Sequence, residues 1–496
     1  MAVRGLPEFE LRGDADVVDV SGDSRLVRRG GLFCAVPGTR QDGHAFVGEA
    51  AAAGASALLV KRFADVPVPQ VRVPSVRSAV GPVAAAVHGH PADELRIASV
   101  TGTNGKTTTV HLVEAALAAA GYRTGLMSTV ETRAPGWRSP ATLTTPDAAE
   151  LHRTLCRMRA AGVQVAAMEV SSHAIDQHRI DPVMAEVAVF TNLSSEHLDY
   201  HGTVEQYYAT KAALFTPDRC RKAVVNIDDP WGQRLAAQSQ VPTVTVGHNS
   251  KADVRIDVST SALDGARLTV HEGDQPVELA ISIAGGGHVT NLAVAYATAR
   301  LMDASRDDVV AGLEAAPPPG RFEHVDNGQP FLVVVDFAHT PAALAEVLAS
   351  ARAASTGGRV HLVVGCAGNR DRFNRPDMGR VALAADTVLF TADDPYEEDP
   401  EEIIAQMLTG TIGCEGAEVE VEPDRKQAIG AAIRRAETDD VVLIAGRGHE
   451  RYQTTKGIRH RFSDVDVARS SLMDQGWEER STQQQAGSSE ALGAWR

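Results

Sequence analysis

The chain has 496 residues, a length that predicts about three domains at roughly 150 residues each. Its 44% hydrophobic and 23% charged residues, with 43 Gly and 24 Pro, are typical of a globular protein and argue against a fibrous, collagen-like or wholly disordered chain. Lys and Arg number 48 against 64 Asp and Glu, and the resulting charge of −16 disfavours nucleic acid as a partner, because phosphates require a basic surface.

The N-terminal segment contains acidic residues and no apolar core of the kind found in a signal peptide. No stretch reaches the roughly 18 consecutive apolar residues that a membrane-spanning helix needs. We therefore expect a soluble, cytoplasmic protein with no membrane partner. The five cysteines are widely separated and include no C-x-x-C pair, so the sequence predicts neither a disulfide framework nor a thiolate zinc site.

The first predicted domain, residues 1–90, is a small α/β unit with an Ala-rich helix at 46–53. The second domain, residues 91–316, opens with an apolar strand at 96–100, a Gly-rich turn and a helix at 107–120. Strand, Gly-rich turn and helix follow one another in this order in nucleotide-binding α/β domains. The second domain is therefore predicted to bind a nucleotide.

Further strands of the second domain are predicted at 164–170, 187–191 and 223–226. They alternate with helices such as 204–215, and this alternation favours a parallel sheet. Around residues 254–283 the pattern changes to short alternating strands separated by Gly and Asp turns. A small antiparallel insert or sheet is predicted there.

A triple proline at residues 317–319 cannot continue a helix and predicts a linker. Residues 317–477 then repeat the alternation of strands and helices, which favours a doubly wound α/β domain. Its predicted strands are 331–336, 360–365, 387–391 and 441–445. Residues 478–496, rich in Ser and Gln, are predicted to form a disordered tail.

A phosphate-binding loop is predicted between the first strand and helix of the second domain, where Gly102 begins the run Gly-Thr-Asn-Gly-Lys-Thr-Thr. Glycines allow backbone N–H groups to close around a phosphate, the lysine adds positive charge, and the hydroxyl after it can reach Mg²⁺. Val100 stands where the standard P-loop has its first glycine. The context of the run nevertheless predicts ATP or a similar nucleotide as ligand.

Polar residues follow two other strands of the same domain. Glu169 lies at the end of the strand predicted at 164–170, and a loop after the next strand contains Glu196, His197 and His201. Either segment alone is typical of a solvated loop. Ligands of parallel sheets bind at the carboxyl ends of the strands, and carboxylates are preferred ligands of Mg²⁺. The two segments together therefore predict a magnesium site beside the nucleotide.

These motifs, in this order, resemble the Mur ligases of peptidoglycan synthesis, and more closely their UDP-N-acetylmuramyl-tripeptide synthetase branch (MurE type). The matching segments are Gly-Thr-Asn-Gly-Lys-Thr at 102–107, Glu-Val-Ser-Ser-His at 169–173, His-Leu-Asp-Tyr-His-Gly at 197–202, Lys211, Gly-Arg-Phe-Glu at 320–323 and Asp-Phe-Ala-His-Thr-Pro at 336–341. Asp-Ser-Arg at 23–25 and Asp-Gly-His-Ala-Phe at 42–46 match the family's N-terminal domain. The resemblance covers residues 20–475.

The resemblance implies an α/β fold of three domains. These are an N-terminal domain that binds the UDP-sugar (1–90), a central P-loop ATPase domain with a parallel sheet (91–316) and a C-terminal Rossmann-like domain that binds the incoming amino acid (317–477). It also implies an activity. ATP phosphorylates a carboxylate of UDP-N-acetylmuramoyl-L-alanyl-D-glutamate, and the amine of a diamino acid attacks the acyl phosphate. ATP and Mg²⁺ are therefore expected, with small-molecule partners and a monomeric chain.

The resemblance also assigns site residues. The implied catalytic residues are Lys106, Glu169, His197 and Lys211. The implied magnesium ligands are Thr107, Glu169, His197 and Lys211, the last matching a lysine that the family carbamylates. The implied ATP site consists of Gly102, Thr103, Asn104, Gly105, Lys106, Thr107, Thr108, Asn291, Arg321, Asp336 and His339. The implied site for the UDP-sugar peptide consists of Ser24, Thr39, Arg40, Gln41, Thr144, Thr145, Ser171, Gln177 and Arg179, whose hydroxyls and guanidinium groups suit an anionic ligand.

The implied amino-acid site lies in the last domain. Its residues are Arg370, Asp393, Asp394, Tyr396, Gly446 and Glu450. Diaminopimelate-adding members carry Asp-Asn-Pro-Arg where this chain has Asp-Asp-Pro-Tyr at 393–396. Tyrosine cannot form the bidentate ion pair that arginine makes with a distal carboxylate. The substitution therefore predicts an acceptor with a distal ammonium, L-lysine or L-ornithine, ahead of diaminopimelate.

Three other interpretations remain open from the sequence. A paralogue of the MurE type would ligate another amino acid in a specialised pathway. A ligase similar to folylpolyglutamate synthase would share the phosphate loop and the carbamylated lysine, but should lack the Asp-Ser-Arg domain present here. A regulatory paralogue that only binds nucleotide should have lost one of the four implied catalytic residues, and this chain has all four.

Overall fold

The structure, a computed structural model, describes residues 3, 5–38, 41–262, 265–273, 275–281, 286–315, 320–355, 357–369 and 372–477. The chain divides into two compact units. The first comprises Met1–Ile256, Glu272–Asp274 and Asn291–Ala316, and the second comprises Asp257–His271, Gln275–Thr290 and Pro317–Arg496. The predicted proline linker and the predicted tail lie outside the described residues.

The first unit begins with a five-stranded sheet. Its strands are β1 Glu10–Arg12, β2 Asp19–Ser21, β3 Gly31–Cys34, β4 Ala57–Val60 and β5 Gln70–Arg72, accompanied by helices α1 Val47–Ala52 and α2 Val76–Val87. The strand order is β1-β5-β4-β3-β2, and all pairs are parallel except β1 with β5. Helix α2 packs Val80 and Val83 against Leu32 and Leu59 of the sheet, in agreement with the predicted small α/β unit.

A large, mainly parallel sheet follows. Its strands are β6 Arg96–Thr101, β7 Thr124–Met127, β8 Glu131–Ala134, β9 Trp137–Pro140, β10 Val165–Glu169, β11 Ala185–Phe190, β12 Cys220–Asn226, β13 Thr243–Gly247, β14 Val254–Ala262, β15 Gly265–Glu272 and β16 Gln275–Ile281. Within the first unit the order runs β14-β13-β12-β11-β6-β10-β7-β8-β9. Within the second unit, β15 and β16 come next after β14. The strands predicted around residues 254–283 are therefore present as β14, β15 and β16.

The helices of this region alternate with the strands, as the sequence predicted. They are α3 Lys106–Ala119, α4 Ala148–Ala160, α5 Ser172–Asp176, α6 Leu198–His201, α7 Val204–Ala212, α8 Pro230–Gln238, α9 Gly286–Leu301 and α10 Arg306–Glu314. The helix predicted at 204–215 ends at Ala212, because Leu214 and Phe215 form turns in which their N–H groups bond back to Lys211 and Ala212.

The register of the parallel strands determines where the polar loops begin. Glu169 at the end of β10 pairs with Val100 of β6, and Phe190 at the end of β11 pairs with Thr101. The loop after β6, the carboxylate of Glu169 and the segment after β11 therefore start at the same edge of the sheet, where open α/β sheets bind ligands.

The rest of the second unit is built on a six-stranded sheet. Its strands are β17 Glu323–His324, β18 Leu332–Asp336, β19 Val360–Val364, β20 Thr387–Phe390, β21 Glu418–Val421 and β22 Val441–Ala445, followed by the hairpin β23 Tyr452–Thr455 and β24 Ile458–Arg461. Its helices are α11 Pro341–Ala354, α12 Arg375–Ala382, α13 Pro400–Leu408, α14 Arg425–Arg435 and α15 Asp464–Met473. The order is β17-β18-β22-β19-β20-β21, parallel except at β17, with apolar clusters on both faces. This is the predicted doubly wound fold.

A fully buried ion pair anchors the last helix. Arg425 donates two hydrogen bonds to Asp464 at the start of α15, each 2.8 Å long. Its guanidinium also donates to the carbonyl of Ala445, 2.8 Å away, where β22 ends. Breaking such a pair is costly because it leaves a buried charge without its partner. Among the described helices, none has the length and apolar character needed to cross a membrane.

Candidate active site

The phosphate loop, residues 102–105, is shaped by two glycines with positive φ. These angles are +150° at Gly102 and +84° at Gly105, a region that L side chains rarely adopt. A Cβ atom on Gly102 would lie 1.9 Å from Oγ1 of Thr191, and one on Gly105 would lie 2.2 Å from Oδ1 of Asn291. The loop therefore packs too closely for any side chain at either position, and Asn291 lies directly against it.

The loop is held by hydrogen bonds from within and from the segment after β11. Nζ of Lys106 donates to the carbonyls of Gly102 and Thr103, at 3.0 and 2.7 Å. The N–H of Asn104 donates to Oδ1 of Asn192 at 2.9 Å. Backbone groups and one ammonium thus converge at the start of α3, an arrangement suited to phosphate.

Thr107 and Thr108 lie in the first turn of α3, and both side chains are buried. The carbonyl of Thr107 is bonded to Nδ1 of His111 at 2.8 Å, and burial lowers the pKa of that histidine. Thr107 directly follows Lys106, which is the position where a P-loop hydroxyl reaches the magnesium of a bound nucleotide.

Lys211 of α7 is buried beneath this loop. Its side chain is 1% exposed, and Nζ donates to the carbonyl of Gly102 at 2.7 Å. The same nitrogen lies 4.5 Å from the centre of the Tyr207 ring. Burial, and secondarily the charge of Lys106, hold the pKa of Lys211 well below the usual range for lysine. A deprotonated amine is the form that can react with CO₂.

Glu169 is a buried carboxylate whose bonding partners among the described residues are neutral. Oε1 accepts from the N–H of Thr129 at 2.8 Å, and Oε2 accepts from the Thr129 hydroxyl at 3.1 Å. The side chain is 1% exposed, and a buried charge of this kind is favourable only when it is paired or bound to a metal. The carboxylate, at the same sheet edge as the phosphate loop, therefore fits a magnesium ion.

His197 precedes α6 in a left-handed conformation, with φ of +56°. Its Nε2 lies 3.6 Å from the buried carboxylate of Glu196. The ring of His173 is 4.9 Å from the His197 ring in an edge-on arrangement and 4.2 Å from the Tyr200 ring. The predicted ligand His197 thus belongs to a cluster of aromatic side chains that fixes its loop.

The structure brings together five of the residues predicted to bind the UDP-sugar peptide, which are Thr144, Thr145, Ser171, Gln177 and Arg179. Thr145 donates to the carbonyl of Glu169 at 2.9 Å, and its hydroxyl accepts from the N–H of Ser171 at 3.0 Å. The hydroxyl of Thr144 lies 3.3 Å from that of Thr129 and can donate to it, because the Thr129 proton is directed to Glu169. Arg179 donates to the carbonyl of Thr145, 3.2 Å away. Hydrogen bonds therefore link these side chains to the segment that carries Glu169.

Two of the four N-terminal residues predicted for the same substrate are described. Ser24 is half-buried and donates to Glu49 at 3.2 Å, and Gln41 is exposed. Thr39 and Arg40 lie outside the described residues. A cleft of about 290 Å³ is lined by Asp23, Trp137, Leu143 and Arg153. Asp23 directly precedes Ser24, and Leu143 directly precedes Thr144.

The three remaining residues of the predicted ATP site belong to the second unit. Both oxygens of Asp336 accept backbone N–H groups, from Phe322 and Ala338, at 2.8 Å each. The guanidinium of Arg321 lies 4.5 Å from the centre of the Phe337 ring. His339 is exposed and follows directly. These side chains cluster where β18 ends, again at the carboxyl edge of a parallel sheet.

The predicted amino-acid site contains a buried guanidinium among carboxylates. NH1 of Arg447 lies 3.0 Å from Asp394, 3.6 Å from Glu450 and 3.8 Å from Asp393. Burial and the nearby Asp393 raise the pKa of Glu450, while the carboxylates raise that of Arg447. A Cβ atom on Gly446 would lie 2.4 Å from Asp393, so the glycine permits this close packing.

The loop at 393–398 is fixed by its neighbours on both sides. Tyr396 has a φ of +51°, and its N–H donates to the carbonyl of Thr454 in hairpin strand β23, 3.0 Å away. Glu398 receives two hydrogen bonds from the buried Arg375, at 3.0 Å each, and also accepts from the N–H of Asn369. Arg370, which follows Asn369, lies outside the described residues.

Comparison with known proteins identifies the family. Residues 17–116 match the model for the Mur ligase family catalytic domain, 100–299 the Mur ligase middle domain and 320–448 the Mur ligase glutamate ligase domain. The chain is 42% identical over 476 residues to a UDP-N-acetylmuramoyl-L-alanyl-D-glutamate–2,6-diaminopimelate ligase of Streptomyces coelicolor, covering 93% of each chain. The chain belongs to the Mur ligase family. It is an ATP-dependent ligase with the three-domain Mur ligase fold.

Two solved structures agree with this assignment. A UDP-N-acetylmuramoyl-L-alanyl-D-glutamate–2,6-diaminopimelate ligase is similar at 32% identity and a TM-score of 0.67, over 93% of this chain and 95% of that one. Folylpolyglutamate synthase of Mycobacterium tuberculosis, at 18% identity and a TM-score of 0.61, covers 80% of this chain and 94% of its own. This second similarity shows a shared fold alone. The MurE-type resemblance is thus confirmed.

The preference for L-lysine or L-ornithine over diaminopimelate finds no support in these comparisons, because the similar Mur ligases are named 2,6-diaminopimelate ligases. That preference rested on Tyr396 in place of arginine and on the negative charges of Asp394 and Glu450. The structure shows the guanidinium of Arg447 buried beside these two carboxylates. A cation is therefore present beside Asp394 and Glu450 even though residue 396 is not arginine.

Four residues of the Mur ligase site were missed from the sequence. Thr129 holds Glu169, Tyr200 bonds to Gln177, and Arg375 with Glu398 fixes the loop before Arg370. Arg375 and Glu398 are 23 positions apart, and only the fold brings them together. Tyr200 lies within a family motif, three positions after His197, and this proximity was a usable signal.

Proposed function

We propose that this Mur ligase joins 2,6-diaminopimelate to UDP-N-acetylmuramoyl-L-alanyl-D-glutamate, with hydrolysis of ATP to ADP and phosphate. The observation that carries the proposal is the buried Lys211 bonded to the first glycine of the phosphate loop, in a chain 42% identical to a ligase of that name. The acidic chain, with its charge of −16, agrees with small-molecule substrates rather than nucleic acid.

The phosphate loop and Lys106 would bind the β- and γ-phosphates of ATP and position the γ-phosphorus for attack. A carboxylate oxygen of the D-glutamate residue forms the new P–O bond, and ADP leaves. Asn291 lies against the loop and would help to hold the nucleotide, and Arg321, Asp336 and His339 of the second unit are proposed to complete its site. The product of this first step is an acyl phosphate.

The proposed magnesium ligands are Thr107, Glu169, His197 and the carbamate of Lys211. When bound, magnesium would neutralise charge on the transferring phosphoryl group. Carbamylation converts the neutral Lys211 amine and CO₂ into an N-carboxylate and a proton, so the side chain becomes an anion. This change suits Lys211, because its buried ammonium is disfavoured both by desolvation and by the nearby Lys106.

In the second step, an amine nitrogen of the acceptor attacks the acyl carbon, phosphate leaves, and the nitrogen loses a proton. Arg370 is proposed to hold the acceptor's α-carboxylate. The distal end of diaminopimelate carries both an ammonium and a carboxylate. It would be held by Asp394, Glu450 and Arg447, which offer acidic and basic groups side by side. Gly446 and Asp393 shape this pocket, and Tyr396 lies at its edge.

Phosphate release from ATP tests this function directly. The chain would be incubated with UDP-N-acetylmuramoyl-L-alanyl-D-glutamate, Mg²⁺ and, in separate reactions, L-lysine, L-ornithine, or meso- or LL-diaminopimelate, with product masses measured. We expect phosphate release and a product mass that corresponds to diaminopimelate addition. Release with L-lysine or L-ornithine alone would favour the acceptor with a distal ammonium that the Asp-Asp-Pro-Tyr segment at 393–396 predicts. No release with any acceptor would refute the proposal.

A further inference from the structure

A chain of hydrogen bonds in the first unit joins the short helix α6 to the side chains proposed to bind the substrate peptide. The hydroxyl of Tyr200 donates to Oδ2 of Asp176 at 2.5 Å, and Nε2 of Gln177 donates to that hydroxyl at 3.2 Å. Oε1 of Gln177 accepts from NH2 of Arg179 at 2.7 Å, and NH1 of Arg179 donates to the carbonyl of Thr145.

The direction of these bonds is determined by the chemistry of their groups. A carboxylate only accepts, so the single proton of the Tyr200 hydroxyl is directed to Asp176. The hydroxyl oxygen must then accept from Gln177, and this fixes Nε2 of the amide on the Tyr200 side. Oε1 is thereby turned to Arg179, whose guanidinium has donors but no acceptor. The reversed amide would place its NH₂ group against the guanidinium.

The ring of Tyr200 has a separate contact. It lies 4.2 Å from the ring of His173, which in turn lies 4.9 Å from that of His197. The hydroxyl of Tyr200 therefore acts on Gln177 and Arg179, while its ring packs within the aromatic cluster around His197. The hydroxyl contact can therefore be removed by mutation while the ring is kept.

We propose that Tyr200 is a positioning residue for the UDP-sugar peptide. It orients the Gln177 amide, and the amide holds the Arg179 guanidinium in place for an anionic group of the substrate. This inference rests on the proposed function, since it requires that Gln177 and Arg179 bind that substrate. Tyr200 acts through these two residues and takes no part in the chemical steps.

The first test is the variant Tyr200→Phe, which removes only the hydroxyl. Affinity for UDP-N-acetylmuramoyl-L-alanyl-D-glutamate would be measured by calorimetry on the whole chain, and steady-state constants by phosphate release. We expect Kd and KM for this substrate to rise about fivefold or more, in line with the loss of an orienting hydrogen bond. The KM for ATP and for the acceptor, and kcat, should stay nearly unchanged. Tyr200→Ala also removes the ring and should additionally lower kcat.

Tyr208→Phe is the matched control. Its hydroxyl donates to Gln238 at 3.0 Å, and it lies on α7, so the variant loses one hydrogen bond without affecting the Gln177 amide. Its Kd should equal that of the wild type. An unchanged Kd for Tyr200→Phe, or an equal rise in Tyr208→Phe, would overturn the role of Tyr200 alone. Failure of the wild type to bind the nucleotide would refute the proposed function and this role with it.

Discussion

The ammonium nitrogen of Lys211 and the carbonyl oxygen of Gly102 are 2.7 Å apart, so a buried lysine on α7 is bonded to the first glycine of the phosphate loop. The partner is a neutral carbonyl, and Lys106 is close enough to disfavour a second positive charge. Conversion of this side chain to a carbamate would replace that unfavourable charge with a metal-binding carboxylate. The relationship leads to a direct chemical test.

Lys211→Ala should reduce turnover by about a hundredfold or more, the scale seen when one electrostatic group is removed from an active site. With ¹³C-bicarbonate, the wild type should show a carbamate signal in the ¹³C NMR spectrum that Lys211→Ala lacks. Because the pKa of Lys211 is lowered, its deprotonated amine and the signal should persist at pH values at which ordinary lysines are protonated. Lys222→Ala is the control, since Lys222 bonds to a carbonyl of α9, that of Leu301, at 3.1 Å. Full turnover in Lys211→Ala would contradict the carbamate assignment.

Gly105→Ala should lower ATP affinity at least tenfold, about 1.4 kcal/mol. The new Cβ would lie 2.2 Å from Oδ1 of Asn291, and the backbone has a φ of +84°. Gly121→Ala is the matched control, because Gly121 has a φ of +83° but no atom within 4 Å of the added Cβ. It should cost about 1 kcal/mol of stability while ATP affinity stays unchanged. Equal ATP affinity of both variants, measured by calorimetry, would show that the packing of residue 105 is unimportant.

Tyr396→Arg should increase kcat/KM for diaminopimelate relative to L-lysine. The new guanidinium would stand in the loop that carries Asp393 and Asp394, and arginine pairs well with a distal carboxylate. Ile412→Arg, at a side chain that is 79% exposed after helix α13, adds the same charge and serves as the control. The measurement is phosphate release with each acceptor. An unchanged ratio would indicate that Arg447 already determines the choice of acceptor.

Glu398→Gln should raise the KM for the acceptor amino acid, because Glu398 holds both Arg375 and the N–H of Asn369 beside the proposed carboxylate-binding residue. The KM for ATP should not change. The control is Asp377→Asn, which breaks an exposed pair with Arg380 on the same helix. Equal acceptor KM values for wild type and Glu398→Gln would show that this ion pair does not contribute to acceptor binding.

The same pair predicts a pH dependence of stability. Its hydrogen bonds from Arg375 lower the pKa of Glu398 to about 2 from an ordinary value of 4.5. A carboxyl group whose pKa is lowered on folding stabilises the protein above its unfolded pKa, and this stabilisation is lost as the pH falls through the folded value. The Tm difference between wild type and Glu398→Gln should therefore be largest above about pH 5 and shrink towards about pH 2. A difference that is constant with pH would contradict the assignment.

The strands and the nucleotide loop were predictable because their signals are local. The predicted bounds of β18 and β22 agree with the structure to within one residue. Parallel strands that are buried on both faces consist of uninterrupted apolar residues, and such runs are easy to recognise. The acceptor pocket was less predictable. The side chain of Arg447 is completely buried, and it reaches Asp394 only because β22 lies two strands from β20 in the sheet. A substitution such as Tyr396 cannot be interpreted without that neighbour, and sequence spacing does not reveal it.

The pairing of Arg425 with Asp464 also bears on how the molecule is made. Arg425 is fully buried, yet its carboxylate partner lies 39 positions later, in the last described helix. During synthesis on a ribosome, the guanidinium would have no partner until α15 has emerged, and enclosing it earlier would be costly. The second unit would therefore reach its native packing only after α15 has been translated. Nascent chains that stop before Asp464 should be targets for proteolysis rather than partly active enzymes.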